Sequence, residues 1–423
     1  MKKITIVEWL KSLSAYGSIL FFVIMAFEVM IMISPFAFFF YSVFNPIFRW
    51  FDQCAVTRWL TAFFLPHMIL PPTLLLKAIR ISGSILFIVG VLAFLICASH
   101  VYLNKIFRRG AAIKGLYSYI RHPQYLALGI WGIGMAILWP RFLVLASLSL
   151  MFILYYFLAK DEERRMLRQY GETYAPYMDK TGMFFPKFIE KSFAKLIPDT
   201  RVKYLLIPLI AVTVTIGIGF ILRTITLDQL HFDARDNITL VSILPEDNED
   251  CIKSLDGISN TAYSKISFIQ EGKYYLGYLM PADYIMQGMI ANTGSDFHLY
   301  KKNHTLAMIS EWVFHPFSHL RASPALHMAK MHNVDPVMAR RHHCPIGIDR
   351  EYMDCKDCPY RRIVFVEIEN NHNKRVSGKA SLSFNIVRKP VGFIDINVQT
   401  GEIINMKEVE KATAWGDVPT PAI

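Results

Sequence analysis

The hydrophobic positions of this chain fall in long runs through its first half and in short, alternating runs through its second half. Residues 14–44, 82–103 and 203–222 are largely apolar, and each run has the roughly 20 residues that a helix needs to cross a bilayer core. A fourth apolar region, 124–158, is interrupted by Trp139-Pro140-Arg141 and divides into two shorter segments, as in a tight helical hairpin. The pattern therefore predicts five membrane spans.

A further apolar stretch, 60–76, is interrupted by Pro66, Pro71 and Pro72. Proline in a helix interior removes a backbone hydrogen bond, so we expect this stretch to be interfacial or re-entrant rather than a span. The first apolar run is too long for a signal-peptide core and lacks a small-residue cleavage site after it. We therefore expect residues 1–11 to remain as a short cytoplasmic tail.

The composition changes near residue 223, from apolar and basic to acidic, with Glu246, Asp247, Glu249 and Asp250 in one short run. This change predicts a polytopic α-helical membrane domain over 1–223, with its core at 82–190 and its last span at 203–222. A soluble domain of mixed α and β structure is expected over 228–423, a common single-domain size.

Short β-rich runs predict the strands of the soluble domain. Ile363–Glu369 alternates weakly, and two further runs, Ala380–Val387 and Val391–Val398, are separated by Arg388-Lys389-Pro390. Asn397–Ile404 has the pattern of a strand, a turn and a strand. Residues 304–340 have more helical character.

The formal charge of +11 raises the possibility of nucleic-acid binding, but the positions of the basic residues argue against it. They cluster beside the spans, at 105–114 and 160–203, and short basic loops tend to stay in the cytoplasm. We therefore expect an integral protein of an inner or plasma membrane, with a cytoplasmic N-terminus and an extracytoplasmic 228–423 domain. This topology places the 45–81 loop outside the cytoplasm, although the loop contains four basic residues: Arg49, Arg58, Lys77 and Arg80.

Residues 119–125 read Tyr-Ile-Arg-His-Pro-Gln-Tyr and place Arg121 and His122 at the edge of the hairpin. Ionisable groups at membrane depth are expensive and often functional. The alternative is that both side chains are interfacial anchors and that Pro123 is the first residue of the next helix.

The other end of the hairpin carries Glu162 and Glu163, so both polar ends meet on one face of the membrane and the glutamates can face His122 and Arg121. Carboxylates suit an ammonium group and cations suit a carboxylate, so the set suits an amino-acid headgroup such as that of S-adenosylmethionine. Methyl transfer from a sulfonium needs mainly alignment and the exclusion of water. The alternative is that the glutamates are solvated partners of arginines on the same helix, Arg164, Arg165 and Arg168.

An ordered set of motifs extends over residues 82–190: Gly115–Tyr125, a span pair, Glu162-Glu163, Tyr170–Tyr177 and a closing Pro186. This set resembles the isoprenylcysteine carboxyl methyltransferase and phospholipid methyltransferase superfamily. The resemblance does not extend to residues 230–423.

The resemblance implies an integral-membrane methyltransferase without a Rossmann domain, whose S-adenosylmethionine site is built from the last span pair and the tail after it. The acceptors of the superfamily are lipid-borne carboxylates or amines, which arrive laterally from the bilayer, and in some bacterial relatives small thiols. The cofactor-binding candidates that it implies are Tyr117, Arg121, His122, Pro123, Tyr125, Glu162 and Glu163. The substrate-side candidates are Glu172, Tyr174 and Lys180.

One departure concerns the substrate. Members that act on carboxylates commonly have a basic residue just before the closing proline, where this chain reads Asp179-Lys-Thr-Gly-Met-Phe-Phe-Pro186. Lys180 is the nearest substitute, and the prenylcysteine substrate is not assigned.

The soluble domain has a His/Cys-rich segment, 298–358, that contains eight of the thirteen histidines. Imidazole and thiolate ligands suit zinc or another transition metal, and His315 and His319 are spaced to bind one ion from a single helix. Cys355 and Cys358 form half of a zinc-ribbon pattern. The pattern could be completed by Cys344 with His342 or His343. The same cysteines could instead form a disulfide in an oxidising compartment.

Two functions follow from these features. The first is a membrane methyltransferase that acts on a lipid-borne or small hydrophobic nucleophile, with an outer domain that binds metal or an extracytoplasmic partner. The alternative is a membrane-anchored metal or redox sensor that uses the methyltransferase-like core as a scaffold. A membrane reductase would need a nicotinamide site, for which no residues argue.

Overall fold

The computed structural model describes residues 54–67, 69, 71–107, 110–194, 203–260, 266–281, 359–369, 376–384 and 386–408, together with residues 23, 36 and 51. By their contacts, the described residues group into two compact units. The first unit contains 81–139 and 143–217, and the second contains segments within 44–80, 140–142 and 218–423.

The first half of the described chain is helical. Three stretches are long and apolar enough to cross a membrane, namely Leu74–Ile106, Phe142–Gly171 and Leu206–Gln229. The predicted first span, 14–44, lies outside the described residues apart from Val23 and Phe36, so the count of five spans remains a prediction. The helices are α1 (Leu74–Ile106), α2 (Pro123–Leu138), α3 (Phe142–Lys180), α4 (Lys187–Ala194) and α5 (Lys203–Gln229).

Helices α1 and α2 approach closely because glycines lie at their contact. A Cβ atom at Gly90 would lie 2.4 Å from the backbone nitrogen of Trp131, and one at Gly134 would lie 2.5 Å from that of Phe87. Small residues at such contacts let helices associate in lipid through close backbone packing. Helix α2 has only 16 residues, so this contact with the longer α1 helps to hold it in place.

The second half contains one six-stranded sheet with the spatial order β1-β2-β3-β4-β5-β6. Strands β2 and β3 pair in parallel, and the helix α6 (Asn248–Asn260) lies between them in the chain. The other neighbouring pairs are antiparallel. The strands are β1 (Phe232–Arg235), β2 (Ile238–Ser242), β3 (Tyr274–Pro281), β4 (Tyr360–Glu369), β5 (Val387–Asn397) and β6 (Ile403–Glu408).

Both faces of the inner strands of the sheet are buried, which explains the weak alternation of β4. Cys251, Leu255 and Ile258 of α6 pack in one cluster with inward side chains such as Leu240 and Phe365. The opposite face forms a second cluster, whose members include Val241, Tyr278, Val364, Leu382, Leu230 and Ile69. The core of this domain therefore includes residues from before α1 and from the end of α5.

Two buried arginines hold residues 61–64 within the second unit. Arg223 donates hydrogen bonds to the carbonyl oxygens of Phe63 and, at 2.6 Å, of Leu382, while its guanidinium lies 4.5 Å from the Phe384 ring centroid. Arg141, in the turn between α2 and α3, donates to the Thr61 carbonyl oxygen. Two backbone hydrogen bonds also connect residues 62–64 to this turn. Phe64 N donates to Pro140 O at 2.8 Å, and Phe142 N donates to Ala62 O at 3.1 Å.

Within the stretch 60–76, the described residues between a short 3₁₀ turn, Arg58–Thr61, and the start of α1 are non-helical. Pro71 and Pro72 lie just before α1, which begins at Leu74. Their position agrees with the expectation that prolines interrupt this apolar stretch. Whether the stretch lies at a membrane interface remains a prediction.

Three of the strand predictions are confirmed and one is wrong. Val391–Val398 lies in β5, apart from its last residue. Ile363–Glu369 lies in β4, and Asn397–Ile404 connects β5 to β6 through a turn at Gly401, whose φ is +73°. Ala380–Val387 is wrong as a strand, because Gly378–Leu382 is a 3₁₀ helix. The predicted helical region 304–340 lies outside the described residues.

A single strand, β5, runs through Arg388-Lys389-Pro390, where the sequence predicted a break. Pro390 is tolerated because the register with β4 shifts beside it, leaving Val391 as an extra residue, and because the pairing with β6 begins only at Gly392. Bulges and strand edges are the positions in a sheet where a missing backbone N–H costs least.

Replacing Arg223 with methionine should destabilise the second unit by roughly 3 kcal/mol, because the carbonyl oxygens of Phe63 and Leu382 lose their buried donor. The expected result is a lower midpoint of thermal unfolding in detergent, measured by the circular dichroism of the sheet. Arg235→Met is the matched control, since Arg235 forms an exposed ion pair with Asp256 that is worth about 1 kcal/mol or less. Equal midpoints for the two variants would contradict this account of the Arg223 contacts.

Candidate active site

Backbone pairing fixes the segment that carries Arg121 and His122. A 3₁₀ turn, Gly115–Ser118, leads into Ile120, which forms an isolated parallel bridge with Gly182. The backbone nitrogens of Arg121 and His122 donate to the carbonyl oxygens of Gly182 and Met183 at 2.8 and 3.0 Å. Pro123 then begins α2, a position that proline favours because no N–H is needed there.

The side chain of Arg121 forms a buried ion pair with Glu163. Its Nε lies 2.5 Å from Glu163 Oε1, and only 7% and 5% of the two side chains are exposed. The same guanidinium donates to the carbonyl oxygens of Met178, at 3.1 Å, and of Thr181. A buried ion pair of this kind is stable only when its remaining donors also have hydrogen-bond acceptors. The two carbonyl oxygens are such acceptors for the Arg121 guanidinium.

His122 lies between the two carboxylates, and 2% of its side chain is exposed. Nδ1 is 3.4 Å from Glu162 Oε2 and Nε2 is 3.6 Å from Glu163 Oε1. Neither ring nitrogen makes a hydrogen bond within the described part of the chain. Burial by itself lowers the pKa of His122, but the two carboxylates more than offset this and raise its pKa above the ordinary value.

The two glutamates differ in exposure, since the Glu162 side chain is 36% exposed and that of Glu163 is buried. The arginines that follow them pair elsewhere: Arg164 and Arg165 each lie 3.2 Å from the carboxylate of Asp161. The contacts described for Glu162 and Glu163 are therefore with the Arg121-His122 segment, rather than with the arginines of their own helix.

Tyr125 and Tyr117 occupy different surroundings. The Tyr125 ring stacks on His122, with centroids 5.7 Å apart, and on Tyr155 at 4.8 Å. The Tyr117 hydroxyl lies 3.0 Å from Gln124 Oε1 and 3.3 Å from the Cys97 carbonyl oxygen of α1. Tyr125 thus borders the charged cluster, whereas Tyr117 ties the 3₁₀ turn to α1.

The tail after α3's kink contributes the substrate-side candidates. Gly171, with a φ of +23°, interrupts the helical geometry, and Tyr174 and Tyr177 follow with ring centroids 5.4 Å apart. Burial raises the pKa of Tyr177 to about 12 and raises that of Tyr174 as well, so both are neutral phenols near pH 7. Lys180 is exposed, and the side chain of Glu172 lies outside the described part.

Sequence reasoning missed the residues that hold the tail against Arg121. Gly182 is required there, because a Cβ atom would lie 1.8 Å from the Phe185 carbonyl oxygen. Glu190 accepts hydrogen bonds from the backbone nitrogens of Phe184, at 2.9 Å, and Phe185. A glycine four residues before the closing Pro186 was the available signal, but single glycines are too common in loops to indicate such a contact.

The predicted metal ligands all lie outside the described residues: His315, His319, His342, His343, Cys344, Cys355 and Cys358. Within the described ranges, no group of three or more His, Cys, Asp or Glu side chains could hold a metal ion. The described cysteines, Cys54, Cys97 and Cys251, are free thiols. Metal binding and the alternative disulfide therefore both remain predictions.

The cluster provides complementary charges in a confined space. Glu162 offers a partly exposed carboxylate, and His122 offers ring nitrogens without hydrogen bonds among the described residues. The Arg121–Glu163 pair fixes the segment on which His122 lies. Such a set can bind a small zwitterionic group, with the ammonium toward the carboxylate and the carboxylate toward the imidazole.

Comparison with known proteins supplies one match. The model of the phospholipid methyltransferase family matches residues 79–173. This range includes α2, the Arg121-His122 segment and both glutamates. No curated protein and no solved structure matches the chain. Over residues 79–173, less than a quarter of the chain, the sequence is therefore similar to the phospholipid methyltransferase family, as the order of its motifs predicted.

Proposed function

We propose that this protein is an integral-membrane methyltransferase that uses S-adenosylmethionine and acts on a lipid-borne or small hydrophobic nucleophile. The observation that carries the proposal is the buried Arg121–Glu163 pair, with His122 held between Glu162 and Glu163 at one end of the hairpin. The family match over the same residues supports methyl transfer as the reaction.

The residues present fit the amino-acid end of the cofactor. His122 is 2% exposed, and its ring nitrogens lie 3.4 and 3.6 Å from the two carboxylates without forming hydrogen bonds, so a closer acceptor on a ligand can replace these long contacts. His122 would hold the carboxylate of the cofactor, and Glu162 would hold its ammonium group. When bound, S-adenosylmethionine supplies an activated methyl group on a sulfonium.

The chain's own contribution is alignment and the exclusion of water rather than acid–base chemistry. Tyr125 is buried against the His122 ring, and Tyr155 is buried against the Tyr125 ring. Phe184, on the tail, has its ring centroid 6.1 Å from that of His122. The phenols of Tyr174 and Tyr177 keep their protons near pH 7 and so do not act as bases. The acceptor is therefore proposed to arrive already nucleophilic, as a free amine, a carboxylate or a thiolate.

The acceptor is proposed to arrive from the bilayer, because the family acts on membrane lipid substrates. Glu172, Tyr174 and Lys180 remain the substrate-side candidates. By the distribution of basic residues, the site faces the cytoplasm and the sheet-rich domain lies outside, where it is free to meet an extracytoplasmic partner. The accepting group is a carboxylate, an amine or a thiol.

Substitutions in the cluster should weaken or abolish cofactor binding while leaving the protein folded. We expect Glu162→Gln to weaken the binding of S-adenosylmethionine at least tenfold, a loss of about 1.4 kcal/mol, because the ammonium loses its ionic partner. His122→Ala should remove detectable binding. Calorimetry on full-length protein in detergent measures both effects.

Asp161→Asn is the matched control, because it makes the same carboxylate-to-amide change one residue away on an exposed side chain that pairs with Arg164 and Arg165. It should bind the cofactor as the unmodified protein does. Unchanged affinity in both Glu162→Gln and His122→Ala would refute the proposed function.

Gly182→Ala should weaken cofactor binding without touching any charged residue. The added methyl cannot fit beside the Phe185 carbonyl oxygen, so the tail must move away from the backbone nitrogens of Arg121 and His122. We expect about tenfold weaker binding and faster proteolysis after residue 171. Gly217→Ala is the control, since a Cβ there meets no atom within 4 Å. Equal affinities for the two alanine variants would show that the tail does not position the site.

A further inference from the structure

The hydroxyl group of Tyr155 is a buried polar atom that the cofactor site leaves unexplained. Tyr155 lies in the apolar part of α3, five residues before the polar end of the helix begins at Lys160, and 2% of the residue is exposed. Its hydroxyl oxygen has no hydrogen-bond partner among the described residues. A tyrosine ring is too long for its hydroxyl to reach back to the carbonyl oxygens of its own helical turn.

Such a group is costly in this position. A buried donor without a partner costs about 1–3 kcal/mol, and the bilayer interior offers no water to compensate. Phenylalanine would fill the same space, keep the ring contact with Tyr125 and avoid this cost. A hydroxyl at this position is therefore explained best by a ligand that provides the missing partner.

The ring contacts connect Tyr155 to the charged cluster. Tyr155 stacks on Tyr125 with an interplanar angle of 23°, and Tyr125 stacks on His122 with an angle of 25°. Glu162 follows Tyr155 by seven residues, which is about two helical turns and about 10 Å along the same face of α3. The Tyr155 hydroxyl and the His122 imidazole thus belong to the two end rings of one stack.

The two ends suit different ligands. The His122 end is near the partly exposed Glu162, where a water-soluble cofactor can enter. The Tyr155 end lies deeper in an apolar helix, where a molecule that arrives from the lipid is the available ligand. A phenol donates to oxygen, and a lipid whose headgroup end reaches the ring stack brings ester and phosphate oxygens as acceptors.

We propose that the Tyr155 hydroxyl binds an oxygen atom of the lipid-borne methyl acceptor and so determines which acceptors are positioned for the reaction. This inference rests on the proposed methyltransferase function and adds the acceptor's side of the site to it. The acceptor then has a polar headgroup with an oxygen atom near its nucleophile. An acceptor whose nucleophile is surrounded only by hydrocarbon does not fit.

The test uses full-length protein in detergent, with labelled S-adenosylmethionine and a total membrane-lipid extract as the acceptor source. For Tyr155→Phe, we expect the apparent KM for the extract to rise about tenfold. The dissociation constant for S-adenosylhomocysteine should stay within about twofold, and the unfolding temperature should be equal or higher. Tyr156→Phe removes a hydroxyl from the next, partly exposed residue and should change none of the three quantities.

The outcomes separate this inference from the proposed function. If the unmodified protein neither binds the cofactor nor methylates the extract, the proposed function fails. If it does both and Tyr155→Phe has an unchanged KM, or loses affinity for S-adenosylhomocysteine instead, Tyr155 does not contact the acceptor. A lower unfolding temperature with an unchanged KM would show that the hydroxyl has only a structural role.

Discussion

The candidate site depends on one buried ion pair, between Arg121 and Glu163. A charge pair removed from water is costly unless its geometry is good and its spare donors are used, and here the carbonyl oxygens of Met178 and Thr181 meet that requirement. The pair therefore connects three parts of the chain: the start of α2, the polar end of α3 and the tail after Gly171. Because the ion pair fixes Arg121, the next residue, His122, lies between the two glutamates.

In the second unit, buried arginines bind backbone carbonyl oxygens rather than a carboxylate. Arg141 and Arg223 donate to backbone carbonyl oxygens of residues 61–63, which brings the turn between α2 and α3 together with the end of α5 and the sheet-rich domain. Backbone groups without a regular partner need such donors when they are buried. The proline-interrupted stretch before α1 is therefore part of a packed unit, although it has little secondary structure.

Much of this arrangement could be predicted from the sequence, because the relevant signals were local. The run length of apolar residues indicated α1, α3 and α5, Trp139-Pro140-Arg141 indicated the hairpin turn, and the order of motifs indicated the methyltransferase family. The sequence predicted the second half of β5 but not its continuation through Pro390, because that proline is tolerated only through a register shift opposite Phe365 and Val366. The roles of Gly182 and Tyr155 also depend on neighbours distant in sequence. The His/Cys-rich segment lies outside the described residues, so its chemistry remains a prediction.

The central claim is that the Arg121-His122 segment and the paired glutamates bind S-adenosylmethionine. Its most direct test is an experimental structure of the full-length protein in a lipid nanodisc with S-adenosylhomocysteine bound. The account predicts that the amino-acid end of the ligand lies within hydrogen-bonding distance of His122 and Glu162. Ligand bound elsewhere, with the Arg121–Glu163 cluster closed and in contact only with protein, would contradict it.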